Sequence, residues 1–283
     1  MKDLTLKTLA VAVGISFLAA CSGDDGEAGA PGPAGPVGPA GEQGPAGPEG
    51  PQGPAGEDAP TAGLATYNVV VTNLTHGQPL APLAVIAHEP GYYAFKAGEP
   101  ASVGIEVLAE GGSPAGVIDE SKEAIQFLDA APGSGPIMPG QKSENITLVV
   151  PVLDSDNLQL TVTSMLIDTN DAFTGVTGYD ISNMEIGESV SFTTITWDAG
   201  TEANTETADT MPGPAATAAG GGGAPAGFSE VRDDIIDAVR VHAGVVTAEN
   251  ADDPSKEGLS SSVLDQSDRF DNPTAKVVVT RSR

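Results

Sequence analysis

Beyond residue 66 the chain is written in short runs in which apolar and polar side chains alternate. "TYNVVVTNLT" alternates around Tyr67, Val69 and Val71, and "APLAVIAHE", "ASVGIEVLAE", "ENITLVVPVL", "LQLTVTSMLI", "SVSFTTITW" and "TAKVVVTRSR" follow in order. Each run is rich in β-branched residues and bounded by turn formers, and a period of two half-buries a strand. Such runs predict an all-β fold, an antiparallel β-sandwich, over residues 66–283. A single helix is predicted from Asp119 to Leu128, with Ile118, Ile125 and Phe127 turned to the core. "EVRDDIIDAVRVHAGVV" fits two periods: Val231, Ile235 and Val239 at helical spacing, Val239, Val241 and Ala243 at strand spacing. Residues 207–228, which include "PGPAATAAGGGGAPAG", read as a low-complexity loop outside the core.

The first 65 residues have a different texture. Lys2 and Lys7 precede an apolar run from Leu9 to Leu18, too short to span a bilayer, and then "LAAC". This resembles the lipobox of bacterial lipoproteins, which predicts a signal peptide over 1–20 and a lipid-bearing Cys21, the one cysteine of the chain. Several acyl chains hold a soluble domain durably on a membrane. Ser22 resembles the signal for outer-membrane sorting, so an outer-membrane lipoprotein is expected, facing the periplasm or the surface. From Gly23 to Gly56 glycine occupies every third position through twelve triplets. Only glycine fits the axis of a collagen triple helix. Residues 21–58 are therefore expected to form a lipid-anchored, collagen-like Gly-x-y stalk about 100 Å long. A homotrimer through that stalk follows, with 59–65 as a linker.

Charge narrows the partners. With 39 acidic and 12 basic residues the formal charge is −27, which argues against nucleic acid and favours hard cations. His76, His88 and His242 are too scattered for a zinc site, and no phosphate loop or nucleophile elbow occurs. "DSDNLQL" begins like a calcium loop but lacks its glycine and terminal glutamate. Trp197 is expected to anchor the core. The acidic loops "IDTNDAF" and "WDAGTEANTE" each follow a predicted strand and end at the rim of the sandwich.

"YNVVVTNLT", "ASVGIEVLAEGG" after "YYAFKAG", "SMLIDTNDAFTG", "DAGTEANTE", "VRVHAGV" and "PTAKVVVTR" come in an order that resembles the spondin N-terminal domain family. The resemblance implies an antiparallel β-sandwich holding a calcium ion, and a role in binding or adhesion toward a protein or matrix ligand. If the two acidic loops meet at one pole, the metal falls at Asp171 and Asp198, with Asp168, Asn170 and Glu202 nearby. A calcium-binding envelope adhesion protein, not an enzyme, is the expectation. The alternatives are an envelope hydrolase with Asp198 and Glu202 as its acid/base pair, or a metal-free structural spacer.

Overall fold

The computed structural model describes residues 63–221, 229, 231–249 and 258–283, together with Gly32, Gly35, Pro36 and Gly38. The signal peptide, Cys21 and the rest of the stalk lie outside the described residues. Contacts divide the chain into Met1–Gly56 and Glu57–Arg283, and the second unit carries the fold.

Six of the seven alternating runs are strands: β1 (Leu64–Asn73), β2 (Ala84–His88), β4 (Ile146–Pro151), β5 (Gln159–Met165), β7 (Ser189–Asp198) and β9 (Ala275–Arg281). Three more complete the set: β3 (Phe127–Pro132), β6 (Ala172–Asp180) and the two-residue β8 (Arg240–Val241). β1 begins inside the expected linker. All pairings are antiparallel, in the order β3-β2-β5-β6-β7-β9-β1-β4, with β8 beside β7. The domain is mostly antiparallel β. The expected two sheets are one continuous sheet curled into a nearly closed barrel, because β7 belongs to both halves. Ser189–Thr194 pair with β9, and Ile195–Asp198 pair with Gly175–Ala172 of β6. Where the sheet ends approach, Asp129 of β3 accepts the Val149 N–H of β4 at 2.7 Å.

Inside the curl, Tyr67, Val69 and Val71 of β1 meet Leu148 and Val150 of β4, Val277 and Val279 of β9 and Leu160 and Val162 of β5. A second apolar layer lies outside, where Ile86 and Phe173 pack against Ile105, Leu108 and Val117 of two helices, α1 (Val103–Gly111) and α2 (Ala115–Lys122). β2 lies between the two layers, so every one of its residues is buried and its sequence is apolar throughout.

The run "ASVGIEVLAE", expected as a strand, is α1. Its alternation coincides with a helical face at Ile105, Leu108 and Ala109, and the termini decide. Ser102 caps the start by accepting the Ile105 N–H at 3.2 Å, and Gly112, at φ 70°, closes the end in the left-handed region. Gly104 and Gly116 let α1 and α2 touch: a Cβ on Gly116 would sit 3.1 Å from the Gly104 Cα. The helix expected over Asp119–Leu128 stops at Lys122, after which the chain becomes β3 and Ile125 stands exposed. Helical spacing in 231–247 leads nowhere, since Val231 and Ile235 are solvent-facing and only Arg240–Val241 pair as strand. Within the expected loop, residues 207–221 are ordered around a short helix α3 (Pro214–Ala218), and Met211 and Ala216 belong to the core.

A candidate cation site at the acidic pole

The register Ala172↔Asp198 places the loop before β6 beside the loop after β7. Gly200 bends the second loop, at φ 72°, under the Ile236–Ala238 segment, where a Cβ would lie 2.5 Å from the Ile236 carbonyl oxygen. No other residue fits there. The bend aims the N–H groups of Thr201 and Glu202 at Asp171 Oδ2, at 2.8 and 3.1 Å. Asn170 fixes the rest of the loop by accepting from the N–H groups of Thr205 and Glu206.

Asp171, Asp198 and Asp234 offer carboxylate oxygens that all lie within 4.8 Å of one another. Their environments differ. Asp198 is fully engaged: Oδ1 accepts the Gly200 N–H, and Oδ2 accepts from Asn204 and from Arg240 at 3.0 Å. Arg240 also holds Asp234, so a guanidinium already compensates this side of the cluster. Asp171 has only half its carboxylate satisfied. Its Oδ1 is buried without a hydrogen-bond partner, and burial, followed by the charge of Asp198, pushes its carboxyl up to about 7.

Glu202 and Glu110 complete the other side. Glu110 sits near the end of α1, buried despite its charge. Glu110 Oε1 and Glu202 Oε2 are likewise buried and unpartnered. Burial, then the charges of Glu110 and Asp171, push the Glu202 carboxyl up to about 8. The Thr201 hydroxyl donates to Asp171 Oδ2 at 3.3 Å. Buried ionised oxygens without partners are costly, and a hard cation satisfies several at once. The donor set that fits a hard cation is Asp171 with Asp198 and Asp234, to which Asp171 brings the unpartnered oxygen.

Two expected ligands behave differently. Asp168 turns to α3, where Oδ1 accepts the Ala215 N–H at 2.8 Å, and burial raises it to about 6. It is not in the cluster. Asn170 places the loop, and its amide nitrogen is turned to the Thr205 hydroxyl and the Thr210 carbonyl. The sequence reading missed Glu110, Asp234 and Arg240. Glu106 and Glu110, four residues apart, share a buried helical face, a signal hidden once α1 is taken for a strand. Asp234 and Arg240 stand about forty residues further along. No local pattern joins them to Asp198.

His88 bonds through both ring nitrogens, to the Glu89 carbonyl and the Thr161 hydroxyl. His242 accepts the Gly244 N–H at Nδ1, while its buried Nε2 has no partner. Trp197 is half-buried on the outer face, against Phe95, and donates its indole N–H to the Gly175 carbonyl.

A mostly antiparallel β domain with two helices on one face and an acidic, half-satisfied loop cluster at one end defines the class. A family profile, Spondin_N, matches residues 75–217, half of the chain. The chain belongs to the spondin N-terminal domain family. Glu110, Asp171, Asp198 and Glu202 lie inside the matched stretch, and Asp234 and Arg240 lie outside it. No curated protein matches the chain.

Proposed function

We propose that this is a lipid-anchored protein of the cell envelope, outer-membrane by sorting, that displays a calcium-binding spondin-type domain on a collagen-like stalk and binds a protein or matrix ligand. The reading is carried by one observation: Glu202 and Glu110 each keep a buried oxygen with no partner, and so does Asp171, whose carboxylate lies within 4.8 Å of those of Asp198 and Asp234. Calcium would be held at Asp171, with Asp198 and Asp234 as a flanking pair braced by Arg240. Its charge would remove the repulsion between the loops and fix their shape for a ligand. The hydrolase alternative finds no support in the geometry, since both oxygens of Asp198 are engaged and one is paired with Arg240.

The test is calorimetry and thermal melting of the protein with calcium and with chelator. Binding confined to the folded state stabilises it by about 2.7 kcal/mol at a hundredfold excess over the dissociation constant. At this size that raises the melting temperature by roughly 5–10 °C. Magnesium should do less, because it demands tight octahedral geometry. No heat and no shift would leave the carboxylates as a protonated cluster, as in the metal-free alternative.

A further inference from the structure

On the outer face of the barrel, β6 and β7 run as partners only from Ala172↔Asp198 to Gly175↔Ile195. Beyond that point β6 continues with β5, where Val176 pairs with Val162, while β7 turns to β9. The sheet forks. On the core side the fork is filled by Tyr179 stacked on Phe192, with ring centroids 3.7 Å apart. On the outer side it stays open, as a cavity of about 400 Å³ bordered by the Tyr93–Ala97 segment. That volume falls in the range of small-molecule sites.

The lining is not an average sample of this chain. Tyr93, Phe95 and Trp197 all line it, a quarter of the chain's aromatic residues around one cavity. The inner wall is rigid. Phe95 packs edge-on to Phe173 at 4.9 Å and tilted against Trp197 at 5.4 Å, and the indole N–H is already used by Gly175. Gly175 leaves the floor bare, since a Cβ there would lie 2.6 Å from the Val162 carbonyl oxygen. At the mouth, Lys96 Nζ stands 5.2 Å over the Tyr93 ring. In a chain with a charge of −27, no acidic residue lines this cavity and its one charged lining residue is a lysine. Lys96 Nζ lies 3.7 Å from Glu99, with both side chains at least half exposed, a pairing that contributes little.

We propose that this fork binds a small aromatic carboxylate, its ring against Phe95 and Trp197 and its acid group at Lys96 Nζ. Aromatic faces reward a flat apolar body, and a single cation at the rim selects one negative charge. The cavity shares no lining residue with the acidic pole.

Trp197 is the chain's only tryptophan, so its emission reports on this cavity without a label. The full chain is titrated with 3-phenylpropanoate, with the neutral 3-phenylpropanamide and with hexanoate, in the presence of calcium and again with chelator. Saturable change in Trp197 emission is expected, with the acid about tenfold tighter than the amide and tighter than hexanoate. Lys96→Gln should abolish the preference for the acid, and Tyr93→Ala should weaken both aromatic ligands about threefold or more. Both side chains are half exposed, so the variants should melt as the parent does. The proposal is overturned by an absence of saturable change with either aromatic ligand. Equal affinity for acid and amide, equal affinity for hexanoate, or a preference that survives Lys96→Gln would each overturn it too.

Discussion

Asp171 and Asp198 are the same residue type at one end of one sheet, and they are predicted to respond in opposite ways to the same substitution. Asp171→Asn keeps an acceptor for the Thr201 and Glu202 N–H groups and turns the orphaned oxygen into a donor beside other carboxylates. The calcium-free protein should gain about 1 kcal/mol and lose its response to calcium. Asp198→Asn removes one of the two carboxylates that Arg240 pairs with and should cost about 1–3 kcal/mol with calcium or chelator alike. Melting of the two variants in both conditions checks the pair. The counter-charge of Asp198 comes from Arg240, which no local motif connects to it, so it was not legible in the sequence. The sign of the pH dependence follows from the same groups. Asp171, near 7, and Glu202, near 8, keep protons in the folded state that the unfolded chain has already released. The folded state then binds more protons, so in chelator stability should fall as pH rises from 6.5 to 8. Saturating calcium should flatten that slope, since the ion replaces the protons. His88 and His242, held low by burial, act in the opposite sense chiefly below 6.5, outside this window.

Among the elements, β7 does two jobs, and the place where it changes partner is tied by hydroxyls. Thr174 of β6 lies 2.6 Å from the hydroxyls of both Thr194 of β7 and Thr274, and it donates toward the Ile195 carbonyl at 3.1 Å. Thr174→Val keeps the shape but orphans these buried groups. A loss of about 1–3 kcal/mol is expected in chemical denaturation, with the denaturant slope unchanged. The same strand shows what was legible in the sequence. Alternation revealed β7 and five other strands, because half-buried sheet has a period of two. It could not reveal the switch of partner at Thr194, which depends on where β6 and β9 arrive in space. β6 itself, "AFTGVTGYD", escaped notice because its first half is covered on both faces and its alternation is lost. Helix α1 was misread for the converse reason: Val103, Ile105 and Val107 alternate as well as a strand does, and only the Ser102 and Gly112 caps carried the right answer.

At the scale of the molecule, the prediction concerns the glycine repeat that precedes the domain. If the twelve triplets form a triple helix, the protein sediments as a trimer at low temperature and shows collagen-like circular dichroism. Gly38→Arg, in mid-repeat, should weaken both. A monomer at every concentration would remove the stalk from the proposal. The domain's own ends bear on how such a tether would act. The chain enters at Leu64 beside its last residues, with Thr66 donating to the Arg283 carbonyl and Ser282 donating back to Thr66. β7 also starts at this end, Ser189 facing Thr280, and its ten residues carry the chain about 30 Å to the acidic loops at the other. A pull between Leu64 and a ligand gripped at the acidic pole therefore runs along β1. That strand is clamped on one side by β4 from Leu64 to Val69, and on the other by β9 from Tyr67 to Asn73. Its hydrogen bonds would be loaded together, in shear, rather than unzipped one at a time.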